Sequence, residues 1–74
     1  MDQPVPRPPD RSRTSWPELV GASSFAAGFV IVYDRPDVHV DFFVAGQALP
    51  PGDSKRVVAF TDGNNTVVYP PYVG

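Results

Sequence analysis

The chain has 74 residues, of which ten are proline and none is cysteine, and its formal net charge is −2. A chain of this length forms one small domain, and without cysteine that domain depends on its apolar core rather than on disulfides. The acidic balance excludes the basic surface that a nucleic-acid-binding protein needs. The longest apolar stretch, residues 25–33, is well short of the roughly 20 residues of a membrane-spanning helix. The sequence therefore predicts neither a nucleic acid nor a membrane partner.

The first fourteen residues differ in composition from the rest of the chain. They contain four prolines and three arginines but few apolar side chains, too few to offset the entropy of ordering. We therefore predict a disordered, proline-rich tail over residues 1–14 and a folded domain over residues 15–74. The prolines of residues 4–9 also suit docking on an aromatic groove of a partner, which is the alternative interpretation.

Charge divides between the same two segments. In the tail, three arginines against two aspartates give a charge of +1, and in the domain three basic against six acidic residues give −3. A signal peptide begins with a basic patch followed by an apolar run, and the start of this sequence does not show that pattern. We therefore take the cytoplasm as the default location.

A helix is predicted after Gly21. Pro17 suits the first turn of a short helical segment because its missing N–H is no loss there. Ser23 can then cap a helix that runs to about Tyr33, since its hydroxyl accepts from a free N–H of the first turn. Pro36 follows closely, and the residue before a proline disfavours the α conformation, so the helix should end there.

The faces of this segment leave alternatives open. Ala27, Val30 and Ile31 recur at the i, i+3, i+4 spacing, so this face should pack on a sheet. Residues 29–33 also have high strand propensity, and a strand remains an alternative on the residues alone. In a helix, Phe25 and Phe29 would stack on another face and mark a partner surface. A covering by the tail or a local repacking are the alternatives for these two rings.

Three strands are predicted in the second half of the chain. Residues 38–44 alternate, with Val38, Val40 and Phe42 on one face, as in a half-buried strand. Residues 56–61 form the second strand, and a turn at residues 62–65 leads to an antiparallel third strand at residues 66–69. The long connection between the first two strands favours a parallel pair. The predicted class is α+β, with a single helix packed on a small twisted mixed sheet and a long exposed loop.

Residues able to catalyse a reaction or bind a metal are few. The one histidine, His39, lies beside Asp41 on a predicted strand, and nothing indicates an activated nucleophile next to it. We expect His39 to face solvent. Asp34, Asp37 and Asp41 lack the spacing and number of a calcium loop. The sequence predicts no enzyme, no metal site and no cofactor.

One segment near the start of the predicted domain carries a family resemblance. It reads Ser15-Trp16-Pro17-Glu18-Leu19-Val20-Gly21 and resembles the opening signature of the potato type I family of serine protease inhibitors. Further positions fit that family in order and spacing, so that the resemblance covers roughly residues 14–74. They are Ser23, Ala27, Val30, Ile31, Pro36, Gly46, Arg56, Val57, Phe60, Asp62, Pro71, Val73 and Gly74. The resemblance favours a helix over residues 24–33.

The resemblance implies a function carried by one loop. Family members present this loop to a serine protease as a substrate-like segment that is bound tightly and cleaved slowly. In members without disulfides, arginines of the following strand hold the loop by hydrogen bonds to side chains beside the scissile bond. Arg56 matches the first of these arginines, but Val58 replaces the second and removes its donors. The matching loop residues are Gln47, Ala48, Leu49, Pro50, Pro51, Gly52, Asp53 and Ser54.

The loop is one residue shorter than the family pattern, which leaves two positions for the scissile bond. Counted forward from Gly46 the bond falls at Pro51–Gly52, and counted back from Arg56 it falls at Pro50–Pro51. A proline after the scissile bond makes a tertiary amide that common serine proteases cleave poorly. We therefore predict the bond between Pro51 and Gly52, with Pro51 in the specificity pocket.

Two functional interpretations follow. In the first, Pro50 and Pro51 stiffen the loop by restricting φ. The chain is then a monomeric inhibitor of subtilisin- or chymotrypsin-type proteases. The resemblance also implies a role in plant defence and the response to wounding. In the second, residues 49–52 form a tight turn that no longer inhibits. The chain would then be a non-inhibitory interaction module that uses Phe25 and Phe29 or the proline-rich tail.

Overall fold

One helix packs on a three-stranded sheet in the computed structural model, which describes residues 7–74. Strand order is β1-β2-β3, with β1 and β2 parallel and β3 antiparallel to β2. This arrangement confirms the predicted α+β class with a single helix on a small mixed sheet. No helix in residues 7–74 is long and apolar enough to cross a bilayer. The elements are a 3-10 turn at Pro17–Leu19, helix α1 at Ser24–Asp34, and strands β1 at His39–Val44, β2 at Arg56–Thr61 and β3 at Tyr72–Val73.

Helix α1 begins and ends where its capping residues predict. The Ser23 side-chain oxygen accepts from the backbone N–H of Ala26 at 3.1 Å, which satisfies a donor that the first turn leaves free. The helix ends at Asp34, and the N–H of Arg35 donates to the Ile31 carbonyl at 2.7 Å. A strand over residues 29–33, the alternative that propensity allowed, is excluded.

The core lies between α1 and the helix-facing side of the sheet. Ala27 and Ile31 are fully buried there, as their spacing predicts, and Val30 packs at the margin. The indole of Trp16 is buried in the same core. The backbone N–H of Trp16 donates to the Pro71 carbonyl at 2.9 Å. The buried core side chains are Trp16, Leu19, Ala27, Ile31, Val38, Val57 and Val67.

The third strand was predicted in the wrong place. Residues 66–69 make only an isolated bridge to β2, between Val67 and Thr61, and the strand that pairs with β2 is Tyr72–Val73. The N–H of Val68 still donates to the Phe60 carbonyl at 2.9 Å, but Pro70 and Pro71 have no N–H to continue the ladder, so pairing resumes only at Tyr72. The other edge of the 66–69 segment bonds to residues 21–22. The carbonyl of Val67 accepts from Gly21 at 2.8 Å, and its N–H donates to the Ala22 carbonyl at 2.8 Å. The predicted turn at residues 62–65 is present, with Asn65 at a φ of 59°.

The alternation predicted for β1 holds only in part. Val38 is buried and Val40 half-buried, but Phe42, expected on the same inner face, is 42% exposed. β1 is an outer strand of the described sheet, and the Phe42 ring lies partly exposed beside Gly28 of α1. His39 is exposed, as predicted.

Candidate functional site

The longest exposed connection in the described part of the chain joins the parallel strands β1 and β2. All of residues 45–55 are exposed. The connection leaves β1 through a turn in which Gly46 has a φ of 92°, a conformation that favours glycine. The N–H of Gln47 donates to the Val44 carbonyl at 2.9 Å, and the Gln47 side chain accepts from the Val44 N–H at 3.0 Å. Gln47 therefore fixes the start of the loop.

A second turn fixes the other end of the loop. The backbone oxygen of Asp53 accepts from the N–H of Arg56 at 3.1 Å, and its side chain accepts from the N–H of Lys55 at 2.9 Å. Aspartate is well suited to this position because its short side chain can bond the backbone two residues on. The central residues 48–52 thus lie between two anchored ends.

Arg56 ties the middle of the loop to the end of the chain. Its side chain is almost entirely buried, with 6% exposed. Nη2 donates to the carbonyl oxygen of Pro51 at 2.6 Å, and Nε donates to the backbone oxygen of Gly74 at 3.0 Å. The Gly74 N–H returns a bond to the Arg56 carbonyl at 3.0 Å. A planar guanidinium can hold two acceptors in fixed directions, which a flexible ammonium cannot do as well.

The contact made by Arg56 differs from the one that the family resemblance implies. Its loop partner is a main-chain carbonyl, not a side chain beside the scissile bond. Val58, two residues on, is buried and has no donor to offer the loop. Gly74 lies close to Tyr72, since a Cβ added at Gly74 would be 2.9 Å from the ring. A side chain at position 74 would therefore require the Tyr72 ring to move.

A second polar cluster, at the end of α1, escaped the sequence analysis. Asp34 is completely buried, and its carboxylate accepts from the indole Nε1 of Trp16 at 2.9 Å. Arg7 donates to both carboxylate oxygens, at 2.6 and 2.7 Å. The backbone N–H of Asp10 adds a bond at 3.0 Å, and Arg13 approaches at 3.4 Å. The only signal for this cluster in the sequence is the opposite charge of the first fourteen residues and the domain.

The ion pair dominates the electrostatics of this cluster. Hydrogen bonding to Arg7 holds the pKa of the Asp34 carboxyl well below its usual range, and the Asp10 and Trp16 donors act in the same direction against the effect of burial. Asp34 in turn raises the pKa of Arg7. The carboxylate therefore stays charged at any pH near neutrality.

The segment before Trp16 lies against the end of α1 through its arginines. Arg11 donates to the carbonyl oxygens of Tyr33 and Asp34, at 3.1 and 3.2 Å, which the last turn of a helix leaves without an intrahelical partner. The Tyr33 hydroxyl donates to the Arg7 carbonyl at 2.6 Å. The division of the chain at residue 14 stays a prediction, and these contacts cross it. Residues 1–6 of the predicted tail lie outside the described residues.

The remaining candidates from the sequence are on the surface. The rings of Phe25 and Phe29 stack with centroids 6.0 Å apart, and both are largely exposed. His39 Nε2 is 3.7 Å from the Asp41 carboxylate, with both side chains largely in solvent. Within residues 7–74, no group of three or more His, Cys, Asp or Glu side chains lies close enough to hold a metal ion.

Together, a helix on a small mixed sheet and an exposed loop tied down by a buried arginine form a scaffold that presents one loop. Residues 8–74 match the model of the potato inhibitor I family. The chain belongs to this family, whose members are protease inhibitors and not enzymes.

Two solved structures illustrate the relationship. The crystal structure of bitter gourd trypsin inhibitor is 32% identical, covers 84% of this chain and 93% of its own, and has a TM-score of 0.78. The solution structure of Cucurbita maxima trypsin inhibitor-V is 29% identical, covers 82% of this chain and 91% of its own, and has a TM-score of 0.64. Comparison with proteins of curated function gave no match.

Proposed function

We propose that this chain inhibits serine proteases by presenting residues 47–54 as a substrate-like segment. The anchoring of the loop carries the proposal: turns at Gln47 and Asp53 fix its two ends, and the buried guanidinium of Arg56 lies under its middle. A loop held before binding loses little conformational entropy when a protease docks, so contact energy appears as affinity. Family membership supports the same function. The non-inhibitory alternative is not favoured by either relative.

The bond between Pro51 and Gly52 remains the proposed scissile bond, with one requirement. A serine protease binds the scissile carbonyl oxygen with donors of its oxyanion hole. In the free chain the Pro51 oxygen is turned towards Arg56. Docking at this bond therefore requires the oxygen to leave Arg56, and the energy of that hydrogen bond opposes both docking and cleavage.

The composition of the loop bears on the type of protease. Both relatives are trypsin inhibitors by name, and the trypsin pocket binds a basic side chain through its aspartate. Residues 47–54 contain no lysine or arginine. Pro51 is an unusual occupant of either pocket, but as an apolar residue it is closer to what the hydrophobic pocket of chymotrypsin-type enzymes binds. We therefore propose chymotrypsin- or subtilisin-type targets. A role in defence or wounding stays a prediction.

The direct test is titration of chymotrypsin, subtilisin and trypsin with the full chain, followed by mass spectrometry of the chain. The expected result is saturable loss of chymotrypsin or subtilisin activity at micromolar chain or below, with most of the chain recovered intact. Absence of inhibition with all three enzymes while the chain is folded would contradict the proposal. So would rapid cleavage followed by release of both fragments.

The position of the scissile bond is tested by moving a basic side chain along the loop. Pro51→Arg should create a trypsin inhibitor, because the new side chain would enter the pocket that holds the trypsin aspartate. Pro50→Arg and Gly52→Arg are matched controls that place the same charge one residue away. If either control improves trypsin inhibition more than Pro51→Arg does, the bond lies elsewhere in the loop.

A further inference from the structure

An apolar groove of about 580 Å³ lies between α1 and β1. Phe25 and Phe29 form its helix side and Val40 and Phe42 its strand side. Phe25 is 81% and Phe29 67% exposed. Clustered apolar surface of this kind on a small globular protein marks an interaction site.

The strand beside this groove has a free edge within the described sheet. The N–H of His39 donates to the Lys55 carbonyl at 2.9 Å, and the N–H of Ala45 donates to the Thr61 carbonyl at 3.2 Å, both towards β2. Because residues alternate along a parallel ladder, the backbone groups of Val40 and Phe42 point away from β2. β1 contains no proline or lysine, the residues that commonly protect an edge strand. It therefore offers free donors and acceptors directly beside the groove.

We propose that β1 of a second copy of this chain occupies this edge, antiparallel to the first and related by a twofold axis at Val40. Each Val40 then exchanges hydrogen bonds with the other Val40, and each Phe42 N–H donates to the Val38 carbonyl of the other copy. On the outer face, His39 of each copy lies opposite Asp41 of the other. This pairing is self-complementary, because the imidazole of each His39 can donate a hydrogen bond to the facing Asp41 carboxylate.

Other registers of the same pairing are less favourable. An axis at Asp41 places two aspartates directly opposite each other, and like charges there are destabilising. An axis at His39 opposes the two histidines and also sets Asp41 against Asp37. An axis at Phe42 brings Val40 opposite Val44, whose N–H is already bonded to the Gln47 side chain at 3.0 Å, and leaves His39 and Asp41 without each other. In the Val40 register the Val38 N–H is likewise bonded within its own chain, to the Arg35 carbonyl at 3.2 Å. The facing of His39 and Asp41 therefore selects the axis at Val40.

The same axis also brings the apolar groove of one copy against that of the other. Val38 of one copy faces Phe42 of its partner on the helix side of the sheet, and the two Val40 side chains face each other. The stacked pairs of Phe25 and Phe29 flank this contact on both copies. Pairing of the edges therefore removes exposed aromatic surface from water, which backbone bonding alone would not do. The chain is then a dimer in solution and not the monomer that the sequence predicts.

Sedimentation equilibrium of the full chain across micromolar to millimolar concentrations tests the dimer. We expect a reversible monomer–dimer equilibrium that Phe42→Lys weakens at least tenfold, because a charge would enter the shared groove. Val20→Lys is the matched control, since Val20 is similarly exposed, at 46%, but lies outside this edge. A chain that stays monomeric at millimolar concentration overturns the proposal, as does a dimer that Phe42→Lys and Val20→Lys weaken equally.

Cross-linking tests the register. The chain has no cysteine, so His39→Cys and Asp41→Cys each introduce a single thiol at an exposed position. Non-hydrogen-bonded cross-strand pairs lie about 4.5 Å apart at Cα, within the range of a disulfide. Oxidation of the two variants mixed together should yield the disulfide between them in preference to either homodimer. Preferential linkage of Asp41→Cys to itself would place the axis elsewhere. If the full chain stays monomeric while a chain without residues 1–6 dimerises, the N-terminal segment of the same chain occupies the groove and the proposal fails.

Discussion

The loop and the Asp34 cluster are stabilised in opposite ways. Asp34 is completely buried and accepts hydrogen bonds from two arginines, an indole and a backbone N–H. The loop is exposed throughout, and the one side chain of β2 that bonds its central residues is Arg56. Many donors converge on one carboxylate at the cluster, whereas at the loop one guanidinium donates to two acceptors that are far apart in the sequence.

The contrast shows that different residues of one small chain stabilise the fold and hold the shape of the exposed loop. The cluster joins the end of α1 to the segment before Trp16, so its loss should affect folding. The Arg56 contacts join exposed main chain to the end of the molecule, so their loss should affect the shape of the loop. Substitutions in the two regions should therefore differ in which measurement they change.

The largest expected effect follows Asp34→Asn. The substitution keeps the shape of the side chain but removes the charge that two arginines and Trp16 share, and we expect a loss of about 3 kcal/mol in the free energy of unfolding. Urea denaturation measures it. Asp37→Asn is the control, because it removes the charge of an exposed carboxylate paired with Arg35 and Lys55. It should lower the free energy of unfolding clearly less. Equal losses would mean that the cluster contributes no more than a surface ion pair.

Acid should weaken the cluster in a predictable direction. The folded state lowers the pKa of Asp34 below its unfolded value of about 3.9. Its contribution to stability is therefore fully present above that value and is lost as the pH falls through it towards the folded pKa. Between about pH 5 and pH 2, the unfolding free energy of the parent chain should decrease more steeply than that of Asp34→Asn. Parallel curves would show that Asp34 is not the group responsible.

At the loop, Arg56→Met should change cleavage more than folding. The substitution removes the donors to Pro51 and Gly74 and leaves both oxygens to solvent. We expect hydrolysis of the loop by a target protease to accelerate about tenfold, equivalent to ~1.4 kcal/mol, with a smaller change in urea denaturation. Arg56→Lys retains the charge but not the two-acceptor geometry and should lie between. Unchanged hydrolysis in Arg56→Met would mean that this arginine does not hold the loop.

The smallest effect, Ser23→Ala, separates stability from loop shape. It removes the hydroxyl that accepts from the Ala26 N–H and should lower the free energy of unfolding by about 1 kcal/mol. Since Ser23 touches neither region, hydrolysis of the folded chain should stay at the parent rate. A rate increase comparable to that of Arg56→Met would show that cleavage follows global stability.

Local signals in the sequence predicted most of the fold. The cap at Ser23, the proline after the helix and the spacing of Ala27 and Ile31 act over a few residues, so pattern and propensity identify them. The third strand was misplaced because Pro70 and Pro71, which have no N–H, interrupt the pairing with β2, and the pairing resumes at Tyr72–Val73. That resumption depends on the docking of this segment against residues far away in the chain, where the Val73 N–H donates to the Thr14 carbonyl, and no local signal predicts it.

For the candidate site, the sequence by itself determined the position of the loop and the arginine that follows it. The order of a glycine, two prolines and an arginine at the start of a strand is enough to predict them. Only the tertiary structure decided which atoms Arg56 bonds and that Asp34 is buried beneath Arg7 and Trp16. The physical reason is that a hydrogen bond requires its atoms within about 3 Å. Such proximity between residues far apart in the chain exists only after the helix and sheet have packed.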